Sequence, residues 1–220
     1  LSSLLKKFLY RKYSSYNLVD MTKSYKLFIL IFLFITQLAG CAAVGVTSVV
    51  APPLSFADRR STEIQIIDQR VEFKAIIEMQ ETYNEANVSF VSYNQTLIIT
   101  GEVPSDELKN KLEDLAKNIK GVKNIKNFLL VGKNSSLRSQ GLDLIATANV
   151  KSRLFINTNK GQYKDKVSPT HIKVFSERQE VYLMGLVTQE EANTAITIAK
   201  SSKGAKKIIP LFEINESFKK

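Results

Sequence analysis

The chain is 220 residues long, enough for one or two domains, with 44% hydrophobic and 24% charged residues, a globular balance that excludes wholesale disorder. It carries one cysteine and one histidine, which excludes an intramolecular disulfide and nearly excludes a Cys/His metal centre. The net charge of +10 is uneven: residues 58–133 hold 11 basic and 12 acidic side chains, residues 134–220 hold 14 and 8. Nucleic acid, an anionic membrane surface and plain solubility each account for an excess of that kind.

Residues 1–20 precede Met21, show no convincing period and read as an upstream extension. Residues 21–40 have the pattern of an export signal, with Lys23 and Lys26 ahead of an apolar run from Leu27 to Ile35. Leu38-Ala39-Gly40-Cys41 follows and resembles the lipobox of bacterial lipoproteins. That resemblance implies a diacylglyceryl group on the Cys41 sulfur, cleavage before it, and a fatty acid such as palmitate on the new amine. An uncleaved transmembrane anchor is the other reading, because no charge occurs from Leu27 through Ala57 and about 20 apolar residues suffice to span. Gly40, Gly45 and Pro52-Pro53 dilute that stretch and favour the lipobox. Ala42 after the cysteine implies, by analogy with enterobacterial sorting, delivery to the outer membrane. Residues 41–57 read as a tether.

From there the chain repeats itself. Leu97-Ile98-Ile99-Thr100-Gly101-Glu102-Val103 matches Val181-Tyr182-Leu183-Met184-Gly185-Leu186-Val187, and Gly121-Val122-Lys123-Asn124-Ile125 matches Gly204-Ala205-Lys206-Lys207-Ile208. Copy one is expected over 58–133 and copy two over 134–220. Each opens with a helix, about Thr62–Met79 and Leu142–Ile156, followed by two alternating strands turning at Asn94-Gln95 and Arg178-Gln179. Gly101 and Gly185 leave room for close backbone approach. A second helix starts at Ser105 in one copy and at a Thr188/Glu191 capping box in the other. Leu108, Leu112, Leu115 and Ile119, like Ala192, Ala195, Ile196 and Ala199, form core stripes. Gly121 and Gly204 stop these helices, and Ile125–Val131 and Ile208–Ile214 close the units. The fold class is therefore α+β: two α-β-β-α-β units, each with a small mixed three-stranded sheet backed by two helices.

That order, the Gly-x-Val after each hairpin and the Gly-Val-Lys-x-Ile closing motif resemble the BON domain. The pair, with Cys41-Ala42-Ala43 and the Arg60-Ser61-x-x-x-Gln65-x-x-Asp68 stretch, resembles the dual-BON outer-membrane lipoproteins of the DolP (YraP) type. The resemblance implies a non-enzymatic, periplasm-facing lipoprotein of the cell envelope. Its second domain would bind anionic phospholipid and support envelope integrity.

The residues themselves direct attention to the same domain. At about 100° per residue, Leu144, Ala148, Lys151 and Phe155 share one helical face, with Arg153 flanking it, while Ile145, Ala146, Asn149 and Val150 lie mainly toward the sheet. Aligning Val71 with Val150 makes the outward positions of copy one Gln65, Gln69, Glu72 and Ile76, a more polar set. An apolar face bordered by cations suits interfacial membrane binding. The same Leu144 and Phe155 face also suits packing on the sister domain, or an adaptor that docks envelope proteins. There is no tryptophan, whereas the family places an aromatic near Leu144, so shallower insertion is expected. Lys160, Lys164 and Lys166 lie in an insertion that widens the basic surface or forms a solvated loop.

For catalysis the sequence is poor: no nucleophile–base pair, phosphate-cradling glycine loop or carboxylate pair stands out, and no cofactor is expected. His171 reads as a surface side chain. Export and the lack of an aromatic-basic platform disfavour nucleic acid as a partner.

Overall fold

The computed structural model describes residues 57–219, apart from 83–85, 161 and 165. The expected extension, the signal, Cys41 and nearly all of the tether lie outside the described residues.

Helix α1 (Thr62–Thr82) opens the first repeat, followed by β1 (Asn87–Tyr93) and β2 (Thr96–Val103). Helix α2 (Asp106–Lys117) comes next, with the Ser105 hydroxyl accepting Leu108 N–H as its N-cap. β3 (Asn124–Asn127) and β4 (Leu130–Val131) close the unit. Antiparallel β1 and parallel β3 and β4 all pair with β2, giving the expected mixed sheet. The closing strand is interrupted where a single run was expected. Asn127 Oδ1 accepts Leu129 N–H at 3.0 Å, which sinks Leu129 into the core.

The second repeat has α3 (Leu137–Asn159), β5 (Lys173–Glu177), β6 (Glu180–Val187), α4 (Gln189–Lys200) and β7 (Lys207–Ile214), in sheet order β5-β6-β7. The Thr188/Glu191 capping box forms as the spacing predicts. Helix α3 begins five residues earlier than expected, because the Ser136 hydroxyl caps Ser139 N–H and carries the helix through Gly141. Helices α2 and α4 stop at Lys117 and Lys200, ahead of the glycines. Gly121 and Gly204, at φ +108° and +93°, serve instead in the turns toward the closing strands. The close approach at Gly101 is real: a Cβ there would lie 1.9 Å from Asn87 O.

Each hairpin turns through two non-glycine residues at positive φ, Asn94-Gln95 and Arg178-Gln179, the conformation that matches strand twist. A buried carboxylate from the opening helix holds each turn. Asp68 accepts Asn94 and Gln95 N–H, both at 2.8 Å, and Asp143 accepts Arg178 and Gln179 N–H. These equivalent aspartates fix the true register between the helices: Val71 corresponds to Ala146, not to Val150. A Cβ on Gly121 would touch Val71 and one on Gly204 would touch Ala146, the same relation twice.

One core lies under α1 and α2, including Val71, Leu97, Ile99 and Leu112; its counterpart under α3 and α4 includes Val150, Leu154, Leu183 and Ile198. The other faces of the two sheets meet each other. Tyr93, Ile98 and Met184 are buried there, with Val91, Phe128, Phe175, Leu186 and Leu211 packed around them. Phe175 stacks on Tyr182 at 4.7 Å, and Phe128 meets that ring edge-on. The layer order is therefore helices, sheet, sheet, helices.

Polar contacts rim this layer. Glu72 pairs with Lys173 at 2.6 Å, Glu102 with Arg178 at 3.3 Å, and Asn94 Nδ2 donates to Glu213 at 2.6 Å. Residues 58–61, expected as the plain start of copy one, strap both repeats. Arg59 binds Glu191 and Leu186 O of the second, while Arg60 binds Asp68 of the first and lies over the Tyr93 ring. Both cores and the layer between them are built from described residues, so a body beginning at Pro53 is a folding unit in itself.

Candidate functional site

Helix α3 presents Asp143, Ala146, Val150, Leu154 and Thr158 inward, where they are buried. Residues 7, 4 and 11 positions apart then stack in a row about 110° round the helix from that buried stripe. Leu137, Leu144 and Phe155 are 85%, 73% and 63% exposed, with Ala148 and Lys151 exposed between them. At about 1.5 Å per residue the row from Leu137 to Phe155 runs about 27 Å. Its side chains stay exposed with both repeats in place, so packing on the sister repeat does not account for it.

Three details differ from the sequence expectation. Ile145 was placed toward the sheet but is more than half exposed, as is Ile156, so the apolar surface is wider than one row. Arg153, expected to flank Phe155, lies about 160° round the helix from it. Its Nε donates to the Ser201 hydroxyl at 3.2 Å, which draws it toward α4. The comparison helix α1 also changes, because the register shifts by four. Gln65 is buried and donates to Arg60 O, and Glu72 accepts Ser92 N–H and Lys173 across the interdomain layer. The positions of α1 equivalent to Leu144, Ala148, Lys151 and Phe155 are Gln69, Phe73, Ile76 and Gln80.

Charge separates the two opening helices more clearly than hydrophobicity does. Helix α3 contains Arg138, Lys151 and Arg153 as exposed cations, and its one acid, Asp143, is buried on the turn amides. Helix α1 mixes Arg70 and Lys74 with Glu63, Glu72 and Glu78. Among the described residues neither Arg138 nor Lys151 has an ion-pair partner. In the lysine-bearing insertion Lys166 is partly neutralised by Glu190 at 2.9 Å, and Tyr163 packs on the core, so the segment is more than a solvated loop.

His171 is not a surface side chain as expected. It sits half-buried under the Arg59–Glu191 pair, its Nδ1 3.9 Å from Glu191; burial, then the Arg59 charge, hold its pKa below the usual histidine value. Among the described residues no helix is long and apolar enough to cross a membrane.

The arrangement can do one thing well. Transferring an exposed Leu or Phe side chain out of water contributes on the order of 1–2 kcal/mol, and each cation near an anionic surface about 1 kcal/mol. Against an anionic bilayer the sum would amount to a reversible contact, one that a covalent tether would strengthen by raising the local concentration.

Comparison with known proteins bears on the family of the two repeats. Residues 68–133 and 143–216 each match the family model of the BON domain. Outer membrane lipoprotein DolP of Haemophilus influenzae is 35% identical over 179 residues, covering 80% of this chain and 89% of that protein. The 21 kDa hemolysin of Actinobacillus pleuropneumoniae is 26% identical over 155 residues, covering 69% of this chain and 76% of that protein. Among solved structures, the C-terminal domain of CdsD, the structural protein of the type III secretion system of Chlamydia trachomatis, covers 66% of this chain and 96% of that one. Its identity is 12% and its TM-score 0.24.

Proposed function

This chain belongs to the BON-domain family, as a dual-BON protein of the DolP type, and from that premise we propose that it is a non-enzymatic outer-membrane lipoprotein facing the periplasm. Its repeats, 58–133 and 134–220, hang from lipidated Cys41 by the 41–57 tether. The second binds anionic phospholipid through Leu144, Ala148, Lys151 and Phe155 on α3, with Arg153 adding charge from the α4 side. In this way the protein supports envelope integrity.

The observation that carries this reading is the outward surface of α3, where large apolar side chains stand in water and every exposed charge is positive. Vesicle sedimentation of the body beginning at Pro53 tests it. Mixed phosphatidylglycerol/phosphatidylcholine vesicles are expected to pellet the protein, and pure phosphatidylcholine vesicles to leave it in the supernatant. Lys151→Glu is expected to weaken binding about tenfold or more, and raised salt to weaken it further. Equal recovery from both vesicle types would instead favour an adaptor that docks an envelope protein on this face.

A further inference from the structure

A second apolar surface lies in the opposite helical layer and has a different shape. Between α1 and the Lys120-Gly121 turn runs a groove of about 760 Å³, lined by Ile67, Phe73 and Ile77 with Arg70, Lys74 and Lys120, and also by the Glu78 carboxylate and Gln95. Its apolar side chains are half-sunk: Phe73 is 45% and Ile77 37% exposed, against 73% for Leu144. Gly121 keeps the floor open, since a Cβ there would lie 2.8 Å from Ile67 Cγ2. The equivalent place in the second repeat lacks these apolar walls. Ala148 and Ser152 stand where Phe73 and Ile77 do, and Asn149 Nδ2 bonds Lys203 O at 3.0 Å across the gap.

The charges of the groove are unequal. Lys74 pairs with Glu78 at 3.4 Å, whereas among the described residues Arg70 and Lys120 have no hydrogen-bond or ion-pair partner. An apolar trough with two unmatched cations at the Gly121 end complements a molecule with one hydrocarbon chain and one anionic head. We infer that this groove of the first repeat binds a free long-chain carboxylate, its chain along Phe73 and Ile77 and its head between Arg70 and Lys120. The site is separate from the α3 face and does not depend on the membrane reading.

Laurate below its micelle concentration is the probe, titrated into the body beginning at Pro53 and followed by calorimetry and by backbone amide shifts. One laurate per chain is expected, with shifts at Ile67, Arg70, Phe73, Ile77 and Gly121. Dodecyl maltoside and dodecyltrimethylammonium are expected to bind at least about tenfold more weakly, as is laurate to the Arg70→Gln/Lys120→Gln variant. Phe73→Asn, at a half-exposed position that spares the core, should weaken laurate comparably. Lys151→Glu should leave laurate binding unchanged, and Arg70→Gln/Lys120→Gln should leave vesicle pelleting unchanged. No laurate binding, shifts confined to α3, or equal binding of the cationic amphiphile would overturn the assignment. Loss of vesicle pelleting in Arg70→Gln/Lys120→Gln would also overturn it, by making the groove part of a bilayer contact.

Discussion

Asp68→Ala is expected to destabilise the body by about 3–5 kcal/mol, lowering its melting temperature by roughly 10 °C or more. The carboxylate accepts four bonds: the two turn amides of Asn94 and Gln95, the Ser92 hydroxyl at 2.7 Å and the Arg60 guanidinium at 2.7 Å. Its loss takes one of two carboxylates from a largely buried guanidinium, which keeps Asp58 at 2.7 Å, and leaves the Ser92 hydroxyl and the amides of a left-handed turn without this acceptor, each amide costing about 1–3 kcal/mol. Asp143→Ala removes the equivalent turn bonds but no comparable cation, so a smaller loss of about 2–3 kcal/mol is expected. Adding Arg60→Ala to Asp68→Ala should cost less than the sum of the single changes. Denaturant titration of the unaltered protein and these four variants, Arg60→Ala alone included, checks this; a loss below about 1 kcal/mol for Asp68→Ala would show that the turns hold themselves.

Glu177→Gln is expected to stabilise the body at neutral pH and to leave it unchanged near pH 4. Glu177 is 6% exposed at the end of β5, inside the layer between the repeats. Burial first, then the Glu102 and Asp143 carboxylates, push its pKa up to about 7, against relief from Arg178 and a weak bond from Ser89 at 3.5 Å. The folded state thus holds a proton that the unfolded chain releases. Stability from this group is fully present below about pH 4.5 and is lost as pH rises through about 7. The gain of Glu177→Gln over the unaltered protein should grow across that window to on the order of 3 kcal/mol, or about 5–10 °C in melting temperature. The difference between the two proteins isolates Glu177 from Glu102, which moves the other way. Burial alone would raise the Glu102 pKa, but bonds from Asn87, Ser135 and Arg178 hold it below the usual range. A constant difference from pH 4 to 8 would contradict this assignment.

The repeated α-β-β-α-β order was legible because its markers are local: the Thr188/Glu191 box, the glycines beside the strands, and alternation around each hairpin. The sheet-to-sheet layer was less so. Leu97-Ile98-Ile99 and Val181-Tyr182-Leu183-Met184 are nearly continuous apolar runs, the pattern of strands covered on both faces. Alternation alone assigns one face of each to water. The register between α1 and α3 was misread because two valines were matched for type. The positions that correspond carry the same work instead, Asp68 and Asp143 each holding a turn 26 and 35 residues away in sequence. With that register Phe73 joins Ile76 on the outward side of a helix that had looked more polar. Part of the candidate face was readable from period alone, namely Leu144, Ala148, Lys151 and Phe155. Leu137 was not, because it precedes the expected helix start at Leu142, and Arg153 was misplaced because two residues along a helix span about 200°.

The orientation of the body on a bilayer is best measured residue by residue. Cys41 is the chain's one cysteine, so the body beginning at Pro53 accepts single cysteines without interference. Ala148→Cys on α3 and Lys111→Cys on α2, both at exposed positions in opposite helical layers, would each carry an environment-sensitive fluorophore. On adding phosphatidylglycerol vesicles, the label at 148 should shift to shorter wavelength and be quenched by lipid-embedded quenchers, while the label at 111 stays as in water. A protein that pellets with those vesicles while the label at 148 stays water-exposed would contradict membrane binding through α3.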